Sequence, residues 1–444
     1  MNTENSVPKR FVLWVLKLSA KIQIYKTKPK IIGVGGSSGK TSLANFIYLI
    51  LKEKYKVKQS GGKNSESGIP LSILNINMKN YKPWDWFKAI VLSKVRLVFE
   101  WKKFDFYIAE MGIDSPIKPG NMDYLLGIIK PDMGVLSNIS LEHSENFDSL
   151  VKLEKDREEK ILELTANQEL SLLNSISATG SVILNIDDEL INKNKSKIVS
   201  KIITVSAKNK DADFYIKNID SSINSFNLKF AYQNKEFEIS LKHPLPDHYA
   251  FSLLLSVVVS VVCGLSVKEA VSNLEKNFSL PPGRFSIFNG KKHAIIIDSS
   301  YNSAPIPLVD TLNFIRKISG QRRKVVIIGD MRELGSISKK AHEEVASQLL
   351  KTTDFAILIG PMMQEYVAPI LKKAGFEFAG FNNFTDAKDF ILKSVKENDL
   401  ILVKGSQNTL FLERAVEILL ENPKDKGKLC RRGEFWNNKR EKTL

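Results

Sequence analysis

Apolar residues at Phe11, Val12, Trp14, Val15, Leu16 and Leu18 mark one side of an amphipathic helix over residues 8–28, which Pro29 ends. The short apolar run Ile31–Val34 then leads into Gly35-Gly36-Ser37-Ser38-Gly39-Lys40-Thr41-Ser42, and a second amphipathic pattern runs from Thr41 to Lys54. Strand, glycine turn and helix form the opening unit of a parallel α/β sheet. Asp105–Ala109, Gly134–Ser137, Ser181–Leu184 and Ile202–Val205 are further buried-strand candidates, with helical patterns between several of them. Over residues 212–242 the period changes to two, in Phe226–Tyr232 and Phe237–Leu241, which predicts antiparallel hairpins beside the main sheet. Residues 247–264 read as a helix buried on most sides.

A second series begins near Pro281-Pro282-Gly283-Arg284. Its strands are His293–Ile297, Lys324–Ile328, Phe355–Ile359 and Leu400–Val403, alternating with helical patterns at 304–318, 338–351, 363–373 and 409–421. A strand spacing of roughly 30 residues implies right-handed crossovers and a separate doubly wound domain. The expected fold class is α/β, with a P-loop-type central domain of mostly parallel sheet and a C-terminal doubly wound, Rossmann-like domain. The expected division is an N-terminal helix at 1–29, a central domain at 30–283, a C-terminal domain at 284–422 and a loose basic tail at 423–444. No internal repeats or low-complexity tracts appear.

With 444 residues, 43% hydrophobic and 26% charged, the chain has the composition of a globular protein of two or three domains. Its two cysteines, Cys263 and Cys430, exclude a disulfide framework and a four-cysteine zinc ribbon. Cys263 lies in an apolar run, as a core residue would. The longest apolar run, Ala250–Leu265, is interrupted by serines and too short to span a bilayer, and no secretory signal is evident, so the cytoplasm is the expected compartment.

The formal charge of +16 is unevenly placed. Residues 1–104 hold 20 Lys/Arg against 5 Asp/Glu, residues 105–421 hold 37 against 41, and residues 422–444 hold 8 against 3. All five tryptophans, Trp14, Trp84, Trp86, Trp101 and Trp436, fall in the two basic ends. Two readings of this pattern stay open. One is an anionic membrane surface, where indoles settle among headgroups and Lys and Arg meet lipid phosphates. The other is a solvated basic surface whose aromatics pin helices to the core. Nucleic acid is disfavoured, because no recognition motif accompanies the charge.

The strict P-loop pattern needs Gly at position 34, where Val34 stands; the tighter Gly36-Ser37-Ser38-Gly39-Lys40-Thr41 is present instead. Its physics is the same. Glycines let backbone N–H groups converge on phosphate, the helix N-terminus adds its dipole, Lys40 adds a point charge, and the Thr41 hydroxyl is placed for a nucleotide-bound Mg²⁺. By itself the loop indicates nucleotide phosphates only.

Around this loop the chain resembles the Mur ligase family, and within it the MurF type that adds D-Ala-D-Ala to the peptidoglycan precursor. The GxxGKT loop after an apolar strand is the Mur and folylpolyglutamate synthase form. The likeness continues in order through Asn64–Leu74, Ala109-Glu110-Met111-Gly112, Pro131-Asp132…Asn138-Ile139…His143…Phe147 and Asn185-Ile186-Asp187-Asp188. It resumes at Pro282-Gly283-Arg284-Phe285, Asp298-Ser299-Ser300-Tyr301-Asn302, Gly329-Asp330-Met331-Arg332-Glu333-Leu334-Gly335 with His342, and Lys404-Gly405-Ser406.

The resemblance implies ATP-dependent amide formation. A substrate carboxylate attacks the γ-phosphate to give an acyl phosphate, and an amine then displaces phosphate. Such a site needs positive charge and metal rather than a protein nucleophile. The implied catalytic set is Lys40, Glu110, His143 and Arg284. Gly36, Ser37, Ser38, Gly39, Lys40, Thr41 and Ser42 would hold ATP phosphates, with Arg284 also reaching them, and Asn185 and Asp187 would lie near adenine. Asp298, Tyr301 and Asn302 would contact the nucleotide from the C-terminal domain. Asn64, Ser67, Asp330, Lys404 and Ser406 would meet the other substrates, and Thr41, Glu110 and His143 would bind Mg²⁺. For His143, Tyr301 and Ser406 a structural role is the plain alternative. ATP contacts from two domains imply closure over a water-free acyl phosphate.

Three departures from the family bear on function. Only 29 residues precede the phosphate-loop strand, where the family carries a UDP-holding domain of about a hundred residues. Arg157 stands where the family has a carbamylated lysine, with Lys155 and Lys160 as neighbouring substitutes, and Ser299 replaces an aspartate. The alternatives are a Mur-like ligase with a different or lipid-linked carboxylate, or a non-catalytic nucleotide-binding partner of cell-wall enzymes. The expected protein is a cytoplasmic monomer acting on nucleotide and peptidoglycan-precursor substrates, with contact at the inner membrane face as the added hypothesis.

Overall fold

The apolar runs become the centres of two sheets in the computed structural model, which describes residues 7–142, 144–151, 156–405 and 409–441. Chain contacts divide the protein into two units. The first is Met1–Ile219, Leu228–Ile239 and Ala250–Ser279; the second is Asp220–Asn227, Ser240–Tyr249 and Leu280–Leu444.

The first sheet has nine strands: β1 (Lys30–Gly35), β2 (Val57–Gln59), β3 (Phe106–Glu110), β4 (Met133–Leu136), β5 (Ser181–Asn185), β6 (Lys201–Ser206), β7 (Phe214–Ser221), β8 (Phe226–Tyr232) and β9 (Lys235–Leu241). Their order is β2-β3-β1-β4-β5-β6-β7-β8-β9, and every pairing from β2 to β7 is parallel. β3 and β4 are buried throughout, the mark of strands covered on both faces. β8 and β9 are joined by Gln233 and Asn234, both at positive φ (48° and 59°), the two-residue turn whose twist suits a hairpin. The helix Tyr249–Val262 is buried nearly all round, with Leu253, Leu254, Leu255, Val257, Val258 and Val259 fully enclosed. This is why its sequence shows an apolar run interrupted by serines, themselves buried, and no stripe.

The second unit holds β10 (Ser286–Asn289), β11 (Ile295–Ser299), β12 (Lys324–Gly329), β13 (Phe355–Ile359), β14 (Phe378–Phe381) and β15 (Leu400–Lys404), ordered β10-β11-β15-β12-β13-β14. Only β10 is antiparallel to its neighbour. The helical pattern at 363–373 opens as a π turn, Met363–Val367, before Ala368–Lys373 becomes regular. Pro369 lacks the N–H that a continuous α-helix would need there.

The C-terminal segment corrects an expectation. It is ordered rather than loose through residue 441, as a 3₁₀ turn at Pro423–Lys428 and a helix at Glu434–Glu441. Leu429 joins the core of the second unit, and Arg431 pairs with the fully buried Glu413 at 2.9 Å. Among the described residues no helix is long and apolar enough to cross a membrane.

Candidate active site

Strand order reverses around β1, which lies between β3 and β4, so the loop after β1 opens at a topological switch point, where such sheets bind ligands. Residues Gly36–Gly39 form that loop, and the helix Lys40–Leu51 follows with no side chain capping its first turn. Gly36 sits at φ 125°, and a Cβ there would lie 2.2 Å from Ser137 Oγ, so glycine is required twice over.

Residues just beyond β4 hold the loop rigidly. Ser37 N donates to the Asn138 carbonyl at 2.9 Å and Ser38 N to Asn138 Oδ1 at 3.0 Å. Asn138 Nδ2 returns a bond to the Ser38 carbonyl at 3.1 Å. Ser37 Oγ donates to the Ser140 carbonyl and accepts from Ser140 N. Gly36 N donates to the buried Glu169 carboxylate at 2.9 Å. Lys40 is nearly buried and folds back to donate to the carbonyls of Gly36 (2.5 Å) and Ser37 (2.9 Å). Ser42 is buried one residue beyond Thr41.

Beside this loop, Thr41 Oγ1 donates to Glu110 Oε1 at 2.8 Å, and Asn64 Nδ2 donates to the same oxygen at 3.2 Å. Glu110 is the last residue of β3, and its other oxygen, Oε2, is buried with no hydrogen-bond partner among the described residues. A desolvated carboxylate oxygen left unpaired is costly. Its place beside a threonine hydroxyl at a phosphate-type helix start fits Mg²⁺, which takes one or two protein oxygens and fills its octahedron with water and phosphate. Among the described residues no group of three or more His, Cys, Asp or Glu gathers as an all-protein metal cage. Ser67 lies half-buried just before the helix Gly68–Ile73, close in sequence to Asn64.

Asn185 ends β5 and donates from Nδ2 to the Ser137 carbonyl at 2.8 Å, tying β5 to the loop after β4. Asp187 accepts from Ser206 Oγ and from Ala207 N. Asp188 caps the helix Glu189–Asn194 and accepts from Ile139 N. These side chains knit together the strand ends next to the phosphate loop.

In the second unit the singled-out residues collect at the carboxyl ends of β11, β12 and β15. Asp298 is fully buried; Oδ1 accepts from Ser300 N at 3.0 Å and Oδ2 has no partner among the described residues. Burial pushes its carboxyl up to about 6, against the pull of the Ser300 hydrogen bonds. The Lys404 ammonium donates to the Asn302 carbonyl at 2.5 Å, locking the β15 end to the loop after β11. The guanidinium of Arg284 lies 4.6 Å from the Tyr301 ring centroid, and that of Arg431 4.9 Å. Asp330 accepts from Met363 N at 2.9 Å, so its carboxylate secures the turn after β13, and burial pushes its carboxyl upward. His342 is fully buried and accepts at Nε2 from Met331 N, and burial pushes its imidazole downward.

His143, Lys155 and Ser406 lie outside the described residues. Arg157 opens the helix Arg157–Asn174, while Lys160 pairs with Glu163 at 2.7 Å. Two residues of these clusters carry no sequence signal: Glu169 resembles any helix carboxylate, and Arg431 is one more cation in a basic tail.

Residues 34–259 match the Mur ligase middle domain, and residues 283–407 match the Mur ligase glutamate ligase domain. Over 414 residues the chain is 27% identical to the UDP-N-acetylmuramoyl-tripeptide–D-alanyl-D-alanine ligase of Borreliella burgdorferi, spanning 92% of this chain and 78% of that protein. The Bacillus subtilis ligase of the same name is 23% identical over 416 residues, spanning 93% and 80%. Among solved structures, MurF from Thermotoga maritima in complex with ADP shares the fold with a TM-score of 0.73 at 22% identity, covering 94% of this chain and 86% of that one. MurF from Acinetobacter baumannii gives 0.73 at 18% identity, covering 93% and 81%. The middle-domain match alone takes in more than half of the chain, which belongs to the Mur ligase family.

Proposed function

We propose that this protein is an ATP-dependent amide ligase of the MurF type, adding D-alanyl-D-alanine or a similar dipeptide to the peptide carboxylate of a peptidoglycan precursor. Relatives bearing that activity in their names align with more than nine-tenths of the chain. The observation that carries the chemistry is the Thr41–Glu110 pair, with its orphaned oxygen, beside the phosphate loop.

In this reading Lys40 exchanges its loop carbonyls for the β- and γ-phosphates, and Gly36–Ser42 shape the phosphate cradle. Thr41 and Glu110 hold Mg²⁺, with His143 as ligand to a second ion; the metal supplies charge neutralisation at the phosphoryl oxygens. Asn64 and Ser67 orient the precursor. Asn185 and Asp187 border the adenine, and Arg284, Asp298, Tyr301 and Asn302 are further nucleotide contacts. Asp330, Lys404 and Ser406 position the peptide substrates. Phosphorylation converts the carboxylate into an acyl phosphate, which the dipeptide amine attacks with loss of phosphate.

A second reading keeps the ligase and changes the carboxylate substrate, for example to a lipid-linked one. The exposed Trp14, Trp84 and Trp101 among lysines favour it, whereas Arg157, at the place where the resemblance sets a carbamylated lysine, favours a non-catalytic nucleotide-binding partner instead. Mass spectrometry of purified protein with ATP, Mg²⁺, UDP-N-acetylmuramoyl-tripeptide and D-Ala-D-Ala tests the choice. The pentapeptide product with stoichiometric ADP supports the first reading. ATP binding without product supports the second, and absence of ATP binding removes both.

A further inference from the structure

The helix Val7–Thr27 and the helix Pro83–Phe99 pack side by side over a small core that includes Leu16, Leu71, Leu74, Ile76 and Ala89. Ser19 Oγ meets Ser93 Oγ at 3.3 Å, while Gln23 and Lys26 donate to the carbonyls of Glu100 and Leu97, so the helices run in the same sense. Their outward faces are apolar, the reverse of the usual surface helix. On the first, Phe11, Trp14, Leu18, Ile22 and Tyr25 are exposed; on the second, Trp84, Phe87, Val91, Val95 and Val98 are exposed at the same 3-4-4-3 spacing. Phe99 and Trp101 extend the second stripe. Trp14 is 59% exposed, Trp84 61% and Phe99 77%. A continuous apolar stripe of this length is an interaction surface rather than scattered surface residues.

Charge identifies what it meets. Residues 7–28 hold six Lys/Arg and no carboxylate, and residues 82–103 hold six against two. Both acids are engaged close by: Asp85 accepts from the amides of Asn80 and Lys82, and Glu100 pairs with Arg96. Lys21 and Lys28 border the first stripe, and Lys88, Lys94 and Lys102 the second, all exposed. Lys88 sits 5.6 Å from the Trp84 ring and Lys26 4.1 Å from the Trp101 ring. Apolar stripes, interfacial indoles and a lysine border together match a phospholipid surface of negative charge. A second copy docked on the same face would bring one lysine border against the other.

We propose that the paired helices Val7–Thr27 and Pro83–Phe99 form a docking face for an anionic phospholipid bilayer, lying in the interface without crossing it. The inference concerns a surface outside the nucleotide cluster and does not depend on the ligase reading.

Cosedimentation of the full chain with vesicles of phosphatidylcholine, with and without one part in four phosphatidylglycerol, tests it. Binding is expected only to the anionic vesicles, with a partition coefficient falling by about tenfold or more as salt rises from about 0.05 to 0.5 M. The Trp14→Glu/Trp84→Glu/Phe99→Glu variant alters only exposed side chains, so its melting temperature should hold while partitioning drops by about tenfold or more. In the unaltered protein, tryptophan emission should shift to the blue on vesicles and be quenched by brominated lipid. Absence of vesicle binding, salt-independent partitioning or unchanged binding by the variant overturns the proposal. So does a dimer in solution that the variant abolishes while vesicles stay unbound, which would make the face a contact between copies.

Discussion

Thr41 and Glu110 face each other at 2.8 Å across the start of the phosphate-loop helix and the end of β3, and this contact leaves Glu110 Oε2 buried with no partner among the described residues. The parallel register brings Val34, at the end of β1, level with Glu110 on β3, so the loop and the carboxylate emerge at the same edge of the sheet.

Glu110→Gln keeps the Thr41 hydrogen bond and removes the charge. ATP turnover at saturating Mg²⁺ should fall by about 100-fold or more, reflecting loss of metal-based charge stabilisation. The folded state should be held or gain slightly, since a buried charge is removed. Steady-state kinetics over a Mg²⁺ series, with a thermal melt, check both parts.

Gly36→Ala introduces a methyl 2.2 Å from Ser137 Oγ at a φ of 125°. The strain should cost about 1–3 kcal/mol and displace the loop. Nucleotide affinity, read with a fluorescent ATP analogue, should fall together with the melting temperature. Lys40→Ala should instead spare stability far better while abolishing turnover, because the bonds of Lys40 to the described residues are to carbonyls of its own loop.

Asp298 gives a pH signature. Its folded-state carboxyl lies at about 6, above its ordinary 3.8, so the native state holds a proton over that interval and the unfolded state does not. Stability attributable to this residue is therefore full below about pH 4 and declines as pH rises through 6, by ~3 kcal/mol in order of magnitude. Asp298→Asn removes this slope. The stability of wild type relative to the variant should be higher at pH 4.5 than at pH 7.5 in paired denaturant titrations.

Arg431→Met would leave Glu413 buried without its 2.9 Å partner, at a cost of about 3–5 kcal/mol. Adding Glu413→Gln should recover part of that loss. If the tail were loosely attached, neither change would move the unfolding midpoint.

The phosphate loop was legible because its chemistry is local: a buried strand, glycines at the turn and Lys40-Thr41 are contiguous. The central strands of both sheets were legible for the same reason, as apolar runs of strand length. β2, β10 and β14 were not, since these short strands carry mixed burial and no clear period. The Pro83–Phe99 helix was hidden by its inverted pattern, with apolar residues outward. Tail docking draws on the Arg431–Glu413 and Arg432–Glu417 ion pairs and on buried Leu429 and Cys430, contacts that composition cannot reveal. Glu169 and Asn138 support the loop from 133 and 100 residues away, which only the folded register brings together.

The central claim is that a carboxylate is activated by phosphorylation and captured by an amine. Its most direct test uses precursor labelled with ¹⁸O in the reacting carboxylate, with ATP, Mg²⁺ and D-Ala-D-Ala. The account predicts one labelled oxygen in the phosphate released for each amide formed, and loss of that transfer in Glu110→Gln. Amide product accompanied by unlabelled phosphate would contradict it.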